Sequence, residues 1–433
     1  MKRSLIGLAP LLLATYAAHG ASAIVPEVDA VYAQSEALYL DLHRNPELSS
    51  HETRTAEKLA AGLRELGYEV TTGVGGTGVV GVLKNGAGPV VMLRTELDAL
   101  PVEEKTGLPY ASTVRAKDDS GTEVGVMHAC GHDIHMASWM GAARIMASTR
   151  NRWRGTLVVI GQPAEETVSG AARMLADGLF TRFPRPQYAL AAHDDPRIPA
   201  GVIGYHAGPI LSNVDTLRIT IYGAGGHGAR PETTVDPIVI AARTVLALQT
   251  IVSREVSPFD SAVVTVGTLH GGTKSNIIPG DATLGLSVRS LTAPVRAQLL
   301  KAIGRIAKGE AAAAGAPQEP RIERIEGANA LINDPELTKR VAAALVRELG
   351  RDQVRDTPPE MASEDFSEFQ GAGVPTLMLR VGATEQSKFD AAQKAGVELP
   401  SLHSPLFAPD REKTIKGMIT AEVIGLRELM PAK

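Results

Sequence analysis

The chain has 433 residues, 44% of them hydrophobic and 21% charged, and its formal net charge is −4 at pH 7. This length is too great for one ordinary hydrophobic core and predicts two domains. A mildly acidic chain without clusters of lysine and arginine is a poor nucleic-acid binder, so we expect a protein that acts on small molecules.

The N-terminus has the pattern of an export signal. Lys2 and Arg3 precede an apolar run over residues 5–18, and Ala21-Ser22-Ala23 has the form of a cleavage site. The alternative is an uncleaved anchor, but the run is shorter than the roughly 20 residues that a membrane-spanning helix needs. We therefore expect residues 1–23 to be a signal peptide. The mature protein should be periplasmic or secreted, with no membrane attachment once the signal is removed.

Strands and helices alternate in the first half of the chain. The spacing of apolar residues predicts helices over residues 36–42, 53–66 and 136–148, with Asp133 as a candidate N-cap of the third. Short apolar runs predict strands over residues 79–83, 90–94, 157–161 and 188–192. This alternation predicts an α/β fold with a mostly parallel sheet covered by helices.

The pattern changes near residue 213. Strands are predicted over residues 217–222, 262–269, 282–290 and 321–325, with helices over 236–255 and 291–315. This βαββαβ order is that of a split βαβ sandwich. The α/β pattern then resumes with a helix over 337–349, a strand over 376–381 and a helix over 411–429. We therefore predict an α+β domain of residues 213–327, inserted into a larger domain formed by residues 24–212 and 328–433.

The only cysteine of the chain, Cys130, lies between His128 and His132, and Asp133 and His135 follow closely. A thiolate and neutral imidazoles are good ligands for zinc and similar ions. The alternative is a buried structural cysteine, which is the usual role of a free thiol. In an exported protein a lone cysteine has no intramolecular disulfide partner. That setting, and the neighbouring histidines, favour metal ligation.

Acidic and imidazole side chains also follow three predicted strands. Glu96 and Asp98 follow the second, Glu165 and Glu166 the third, and His193 the fourth. In open α/β sheets, sites form beyond the carboxyl ends of the strands. Any one of these segments is compatible with a solvated turn. Together with the cysteine motif, they predict one site at one edge of the sheet.

These segments resemble those of peptidase family M20, the aminoacylase and carboxypeptidase family of zinc metallopeptidases. Within it they resemble the amidohydrolase branch, which includes indole-acetyl-amino acid, N-acyl amino acid and hippurate hydrolases. The resemblance implies a zinc-peptidase-like α/β domain, with helices on both faces of its sheet, that carries an inserted lid or dimerisation domain. The matching segments run in family order along the chain: 93–101 (LRTELDALP), 127–135 (MHACGHDIH), 161–166 (GQPAEE), His193, 223–231 (GAGGHGARP), 275–279 (SNIIP), 364–366 (EDF) and 402–407 (LHSPLF).

The resemblance implies a site for two divalent metal ions. Zinc suits its sulfur and imidazole donors best, while manganese, cobalt and nickel are also accepted by carboxylate and imidazole. His403, taken alone, is a loop histidine, and its neighbours support the ligand role. His128 and His135 are outside the set, and Asp98 is a candidate to orient a ligand imidazole. The implied ligands are Cys130, His132, Glu166, His193 and His403.

The resemblance also implies the residues of catalysis. Glu165 matches the general base, which takes a proton from water and passes it to the leaving amine. His227 lies between glycines in the predicted lid, and the resemblance implies that it stabilises the oxyanion in an active site, its own or that of another subunit. Its alternative role is that of a histidine in a turn.

Asn276 and Arg289 are candidates to bind the substrate carboxylate, since arginine offers a fork of donors matched to it. Arg230 is an alternative. The chain departs from the family in two places. Thr95-Glu96 replaces the commoner small residue and aspartate, and residues 383–401 form a longer link to the last histidine motif. That link is expected to border the pocket and to alter the acyl preference.

The predicted function is an exported, metal-dependent amidohydrolase. It would cleave N-acyl or aryl-acyl amino acids to a carboxylic acid and a free amino acid, and it would form a homodimer through the lid if His227 serves a partner. The alternative within enzymes is a dipeptidase or carboxypeptidase that uses the same site. A non-catalytic metal or solute receptor is the alternative from another class, and Glu165 speaks against it because metal binding alone does not require that carboxylate.

Overall fold

The computed structural model describes residues 24–432, so the expected signal peptide lies outside the described residues. The first part of the chain alternates between helices and strands. Its helices are α1 Val25–Arg44, α2 Thr53–Glu65, α3 His132–Ser148, α4 Gly170–Ala176 and α5 Leu179–Arg182. Its strands are β1 Glu69–Val74, β2 Gly78–Asn85, β3 Val90–Glu96, β4 Arg115–Lys117, β5 Glu123–Gly125, β6 Gly155–Gln162, β7 Tyr188–Pro199, β8 Ile203–Tyr205 and β9 Gly208–Leu211.

The middle part contains the predicted βαββαβ order, with two additional short strands. Its strands are β10 Asn213–Tyr222, β11 Gly226–His227, β12 Ala262–Gly271, β13 Ile277–Ile278, β14 Asp281–Ser290 and β15 Arg321–Ala328. Its helices are α6 Pro237–Thr250, which continues as a π-helical turn over Ile251–Glu255, and α7 Ala293–Ala313.

The last part returns to the α/β pattern. Its strands are β16 Leu331–Asn333, β17 Val354–Asp356 and β18 Thr376–Thr384. Its helices are α8 Pro335–Leu349, α9 Ser367–Gly371, α10 Gln386–Ala395 and α11 Arg411–Leu429.

A mixed eight-stranded sheet forms the centre of the larger unit, in the order β1-β2-β6-β3-β7-β18-β8-β17. Strand β3 pairs in parallel with β6 and with β7, and β7 pairs in parallel with β18. The carboxyl ends of these four strands therefore lie at one edge of the sheet, where ligand sites form in open α/β sheets. The predicted α/β fold with a mostly parallel sheet is confirmed.

Helices cover both faces of this sheet because the buried strands alternate their side chains between two cores. In β3, Val91 and Leu93 pack with α1, α2, α3, α8 and α11, while Met92 packs on the opposite face with α4 and α9. This period of two is what a strand buried on both faces requires.

The inserted segment forms a separate four-stranded antiparallel sheet, in the order β12-β14-β10-β15. Its own hydrophobic core contains Ile240 and Leu248 of α6 and Leu299 and Ile303 of α7. Among the described helices, the one over Pro237–Glu255 is apolar and long enough to span a membrane by length and composition alone, with 33% of that window buried. We call residues 213–328, which contain this sheet and its two helices, the lid.

Three sequence expectations are corrected by the structure. Asp133 is not the N-cap of α3, because the helix begins at His132 after Gly131, and the Asp133 carboxylate instead lies 2.6 Å from His43 Nδ1. Helix α1 begins at Val25, well before the predicted residue 36. His193 does not follow its strand but lies within it, because β7 stays paired with β18 as far as Pro199.

A buried ion network ties three segments together beneath the carboxyl edge of the sheet. The Arg94 side chain, which is fully buried on β3, donates to Glu96, to Glu364 Oε1 at 2.6 Å and to Gln162 Oε1 at 3.0 Å. Its NH2 group also lies 3.3 Å from Asp365 Oδ1. One guanidinium thus offsets the charge of several carboxylates that are shielded from water.

We predict that Arg94→Met lowers the free energy of unfolding by about 3–5 kcal/mol, because it leaves buried carboxylates without their counter-charge. Urea unfolding in excess chelator would measure this loss without a contribution from bound metal. The matched control is Arg321→Met, which breaks an exposed pair with Glu323 and should cost less than about 1 kcal/mol. Equal losses in the two variants would contradict the role given to Arg94.

Candidate metal centre and active site

The five predicted metal ligands come from four separate segments that meet at the carboxyl edge of the large sheet. Cys130 precedes α3 and His132 is the first residue of that helix. Glu166 lies in the turn after β6, His193 lies in β7, and His403 lies in the loop before α11. The structure therefore brings all five together, although Cys130 and His403 are 273 residues apart in sequence.

The thiol of Cys130 is at the centre of this cluster. Its sulfur lies 3.3 Å from Nε2 of His403 and 3.7 Å from Nε2 of His193. Cys130 belongs to two sets of three residues. One set is completed by His132 and His193, and the other by Glu166 and His403. Within each set, the ligand atoms all lie within 4.8 Å of one another. Because Cys130 belongs to both sets, these residues could hold two neighbouring divalent ions.

Unsatisfied polar atoms point to the same conclusion. Among the described residues, Nε2 of His132 and Oε1 of Glu166 are buried without a hydrogen-bond partner, and they lie 4.0 Å apart. Nδ1 of His132 donates to the carbonyl of Asp98 at 2.7 Å, and Nδ1 of His193 donates to that of Asp194 at 2.8 Å. These bonds leave the Nε2 lone pairs directed at the cluster, as metal-binding histidines require.

The electrostatics of the cluster also favour bound cations. Burial would lower the pKa of His132, yet the nearby carboxylates, Asp98 first, raise it to about 10. Burial likewise opposes charge on His193, but Asp194 raises its pKa to about 9. Burial, followed by the charge of Glu166, raises the pKa of the Cys130 thiol. A thiolate and neutral imidazoles at this place therefore need positive charge beside them.

Asp98, which the sequence made a candidate to orient a ligand imidazole, contacts two of the candidate ligands. Its carbonyl accepts from His132, and its Oδ2 accepts from the backbone N–H of Glu166 at 2.9 Å and from the Ser49 hydroxyl at 2.6 Å. The Asp98 carboxylate is farther from the imidazole, with Oδ1 3.5 Å from Nδ1 of His132. Asp98 thus orients the imidazole through its backbone and the Glu166 loop through its side chain.

His135, which the sequence left outside the ligand set, supports His193 from behind. Its Nδ1 lies 2.9 Å from Oε2 of Glu96, and its Nε2 lies 3.0 Å from Oδ1 of Asp194. Gly131 permits the tight turn between the two ligands of the α3 motif. It has φ +75°, and a Cβ there would lie 2.6 Å from the Asp194 carboxylate. The glutamate that departs from the family at position 96 therefore links Arg94 to this histidine.

Strained backbone is concentrated at the same edge of the sheet. Four non-glycine residues among those described have positive φ, and Ala164, Val168 and His403 are three of them. The conformation is costly for Val168, whose side chain is β-branched. Such residues cluster at functional sites, where the surrounding structure holds them in place.

Glu165 lies beside the cluster, but its carboxylate makes no hydrogen bond to another described residue. It is buried, with 7% of its surface exposed, and one oxygen lies within 4.8 Å of ligand atoms of His132 and Glu166. Burial, then the charges of Glu364 and Glu166, raise its pKa well above the usual range. A buried carboxylate that faces the cluster with an increased affinity for a proton has the properties of a general base.

A cavity of about 700 Å³ opens from the cluster and is lined by Glu165 and Arg289. Arg289, on β14 of the lid, donates to the Met361 carbonyl at 2.8 Å and to the Ser363 hydroxyl at 3.0 Å. It forms no ion pair with an acidic side chain of the described residues. A partly buried cation without a carboxylate partner, facing a cavity, is suited to bind an anionic group.

The other three lid residues considered from sequence are not brought to this cavity. His227 lies on β11 and Asn276 lies in the turn just before β13, where the Gly228 N–H donates to the Asn276 carbonyl at 2.9 Å, and none of these residues lines the cavity. Both are exposed. Arg230 is also exposed and lies 3.5 Å from Glu232. Within one chain, Arg289 is therefore the candidate that lines the site.

One part of the site was missed in the sequence, and another was expected at the pocket but with a different structure. Arg197 and Arg380 line the cavity near Asp195 and Glu360, and no motif singled them out. Residues 383–401 were expected to border the pocket as a loop, but they contain helix α10, whose Phe389 lines the cavity. A helix signal was present, because Glu385 caps a ten-residue segment with apolar residues at helical spacing.

Comparison with known proteins supports the family prediction. The model of Peptidase family M20/M25/M40 matches residues 92–401. The chain is 38% identical to hippurate hydrolase of Campylobacter jejuni over 349 residues, covering 80% of this chain and 87% of that protein. It is 34% identical to thermostable carboxypeptidase 2 of Saccharolobus solfataricus over 391 residues, covering 89% of this chain and 93% of that protein.

The fold comparison agrees. A solved structure of a dinuclear metal-binding peptidase of the M20 family from Bacillus subtilis superposes with a TM-score of 0.75 and 29% identity, covering 92% of this chain and 98% of that one. The motifs, the fold and the sequence relatives thus agree on one family. The chain belongs to peptidase family M20, on its amidohydrolase branch.

Proposed function

We propose that this protein is an exported, two-metal amidohydrolase that cleaves N-acyl amino acids to a carboxylic acid and a free amino acid. One observation carries the proposal. A single cavity is lined by Glu165, by Arg289, which has no acidic partner among the described residues, and by four of the five candidate ligands, while His132 lies directly beside Cys130 and His193. A substrate with an amide bond and a free carboxylate matches these three features together.

The proposed mechanism assigns a role to each of these residues. Cys130, His132, Glu166, His193 and His403 would hold the two ions. When bound, the ions supply polarisation of the scissile carbonyl and lower the pKa of water. Glu165 takes a proton from the attacking water and later gives it to the leaving amine. Arg289 holds the substrate carboxylate and so fixes the amide bond relative to Glu165.

Zinc is the metal we favour, because one thiolate and three imidazoles are soft to intermediate donors. Manganese, cobalt and nickel are the alternatives to test. Export is inferred from residues 1–23 alone, and a lone metal-binding cysteine is compatible with an oxidising compartment.

The runner-up is a dipeptidase or carboxypeptidase that uses the same site. Such an enzyme needs an anionic group for the α-amine of a dipeptide. In the cavity, Asp195 and Glu360 are already paired with Arg197, and Glu360 also lies 2.8 Å from Arg380. Glu398 also lines the cavity, and it is exposed and forms no ion pair with another described residue, so it is the candidate we favour for that role. Assays of acyl amino acids against dipeptides, with each metal in turn, separate the two activities.

We propose that the lid forms a homodimer interface. One side of α6 packs into the lid core, but its other side exposes Val239, Leu246 and Val252, with 73% of Leu246 exposed. A second copy of this chain is the occupant we favour, because His227 and Asn276 lie on the lid outside their own cavity. A symmetric contact through the lid would allow them to serve the partner's site.

Within the proposed function, the first prediction concerns the base. Glu165→Gln should lower kcat by at least about a hundredfold, because it removes the proton acceptor while it preserves size. Its metal content, measured by elemental analysis, should remain that of the wild type. A variant that retains kcat within about tenfold would exclude Glu165 as the essential base.

The second prediction concerns the metals. Chelation should abolish activity, and one of the four divalent ions should restore it. Cys130→Ser should weaken metal binding by more than about a hundredfold, since losses of this size already follow from changes to groups that only support ligands. His51→Ala, at an exposed histidine, is the control and should keep full occupancy. Normal metal content in Cys130→Ser would make the cysteine structural.

The third prediction concerns the lid histidine. His227→Ala should lower kcat strongly with unchanged metal content, as expected for a contact made mainly in the transition state. Mixing it with Glu165→Gln should restore part of the activity, because a hybrid dimer contains one intact composite site.

The same mixture with Leu246→Glu in both chains should show no rescue, since a charge on the exposed face of α6 would separate the subunits. Subunit exchange is verified with a tagged chain. If exchange occurs and activity does not return, His227 does not act across the interface.

A further inference from the structure

One wall of the cavity comes from α10 and the loop that follows it. Helix α10 and the residues that follow it contribute Phe389, Ala392, Val397 and Leu399, and Leu402 completes this side. We call these five residues the α10 wall. Gln393, Glu398 and Ser401 of the same segment also line the cavity, so five of its eight lining residues are apolar. An apolar majority is typical of surfaces that bind the non-polar part of a ligand.

The α10 helix directs its apolar side at the cavity and not at a protein core. Phe389, Ala392 and Gln393 have the spacing of one helix face and all line the cavity, while Lys388 and Lys394 are exposed. Of the ten residues of α10, Ala392 is the one that is buried. Phe389, Val397 and Leu399 belong to none of the hydrophobic clusters of the described residues. Their hydration is unfavourable until a ligand covers them.

The wall belongs to the same segment as a candidate metal ligand. Leu402 of the wall directly precedes His403, and it packs on Met127, Ala129 and Phe407 of the catalytic unit. Arg289, in contrast, is on the lid. In an N-acyl amino acid, the carboxylate and the side chain both branch from the Cα, on the amine side of the scissile bond. If Arg289 holds that carboxylate, the group that stays beside the metal-bearing loops is the acyl chain.

The charges near the wall indicate which acyl groups fit. Arg197 lies 2.7 Å from Asp195, and Arg380 lies 2.8 Å from Glu360, so these cations are already neutralised. Glu398 lines the cavity next to Val397 and disfavours a second negative charge. An acyl group with its own carboxylate is therefore a poor match, and an uncharged apolar one is a good match.

From these observations we infer that the α10 wall is the acyl-binding subsite, selecting N-acyl amino acids whose acyl group is large, apolar and uncharged. This inference rests on the proposed amidohydrolase function. It assigns the choice of acyl group to the α10 wall, and the hydrolytic chemistry to Glu165 and the candidate metal ligands.

The test uses the metal-loaded full-length enzyme and N-acetyl, N-butanoyl, N-octanoyl, N-benzoyl and N-succinyl derivatives of one amino acid. We expect kcat/KM of the wild type to rise at least about tenfold from acetyl to octanoyl or benzoyl, and to be lowest for succinyl. Phe389→Ala should reduce the benzoyl-to-acetyl ratio of kcat/KM about tenfold, because it removes the largest apolar surface of the wall.

Val397→Ser, at a side chain that is 60% exposed, changes the wall without a folding penalty and should reduce the octanoyl-to-acetyl ratio in the same direction. Lys394→Ala, on the outer face of α10, is the matched control and should keep both ratios. A second series, with the acyl group fixed and the amino acid varied, should respond equally in wild type and Phe389→Ala.

The outcomes separate the inference from the function on which it rests. If acyl amino acids are cleaved but the acyl ratios do not change in Phe389→Ala and Val397→Ser, the wall is not the acyl subsite and the function stands. A response confined to the amino-acid series would place the wall on the amine side of the bond and overturn the assignment. If the wild type cleaves none of the acyl amino acids, both proposals are wrong.

Discussion

The density of buried negative charge at one edge of the sheet is the constraint on which the rest of the structure depends. Glu96, Asp98, Glu165, Glu364 and Asp365 are all nearly excluded from water. Such a group is stable only if cations or hydrogen-bond donors approach from every side. Beneath the edge, the guanidinium of Arg94 fills that role and joins β3, β6 and the loop before α9. Above it, Nε2 of His132 and Oε1 of Glu166 are buried without a hydrogen-bond partner, and bound metal ions would satisfy both atoms.

The buried ion network also supports one of the candidate metal ligands. Glu96 takes part in both halves, since it accepts from Arg94 on one side and lies 2.9 Å from Nδ1 of His135 on the other. From His135 the contacts continue to Asp194 and then to His193. The position of one candidate ligand is therefore set by an arginine two residues before Glu96 on the same strand. Contacts of this kind, from residues behind the ligands, orient the ligand side chains for metal binding.

Much of this arrangement could be predicted from the sequence, because a parallel sheet brings the residues at the carboxyl ends of its strands close together. Parallel strands place their carboxyl ends at one edge, so acidic segments after β3 and β6 had to meet near the cysteine motif. His193 was assigned correctly to that edge for a partly wrong reason, since it lies inside β7 and not beyond it. The extension to Pro199 depends on pairing with β18, a strand nearly 200 residues away, and local patterns cannot report such a partner. The position of His227 was also beyond local inference, because it depends on how the lid is placed over the sheet and on whether a second chain is present.

Helix α10 has a separate consequence for how such an enzyme can diversify. Both ends of the helix are capped by its own sequence. The Glu385 carboxylate accepts from two backbone N–H groups at the start, and Gly396 adopts the left-handed conformation at the end. Because it buries a single residue, it contributes little to the cooperativity of folding. A helix of this kind can be lengthened, shortened or replaced during evolution without a change in the strand pairing of the neighbouring sheet. Enzymes that share one catalytic framework can then acquire new substrate specificities through changes in one short segment of the sequence.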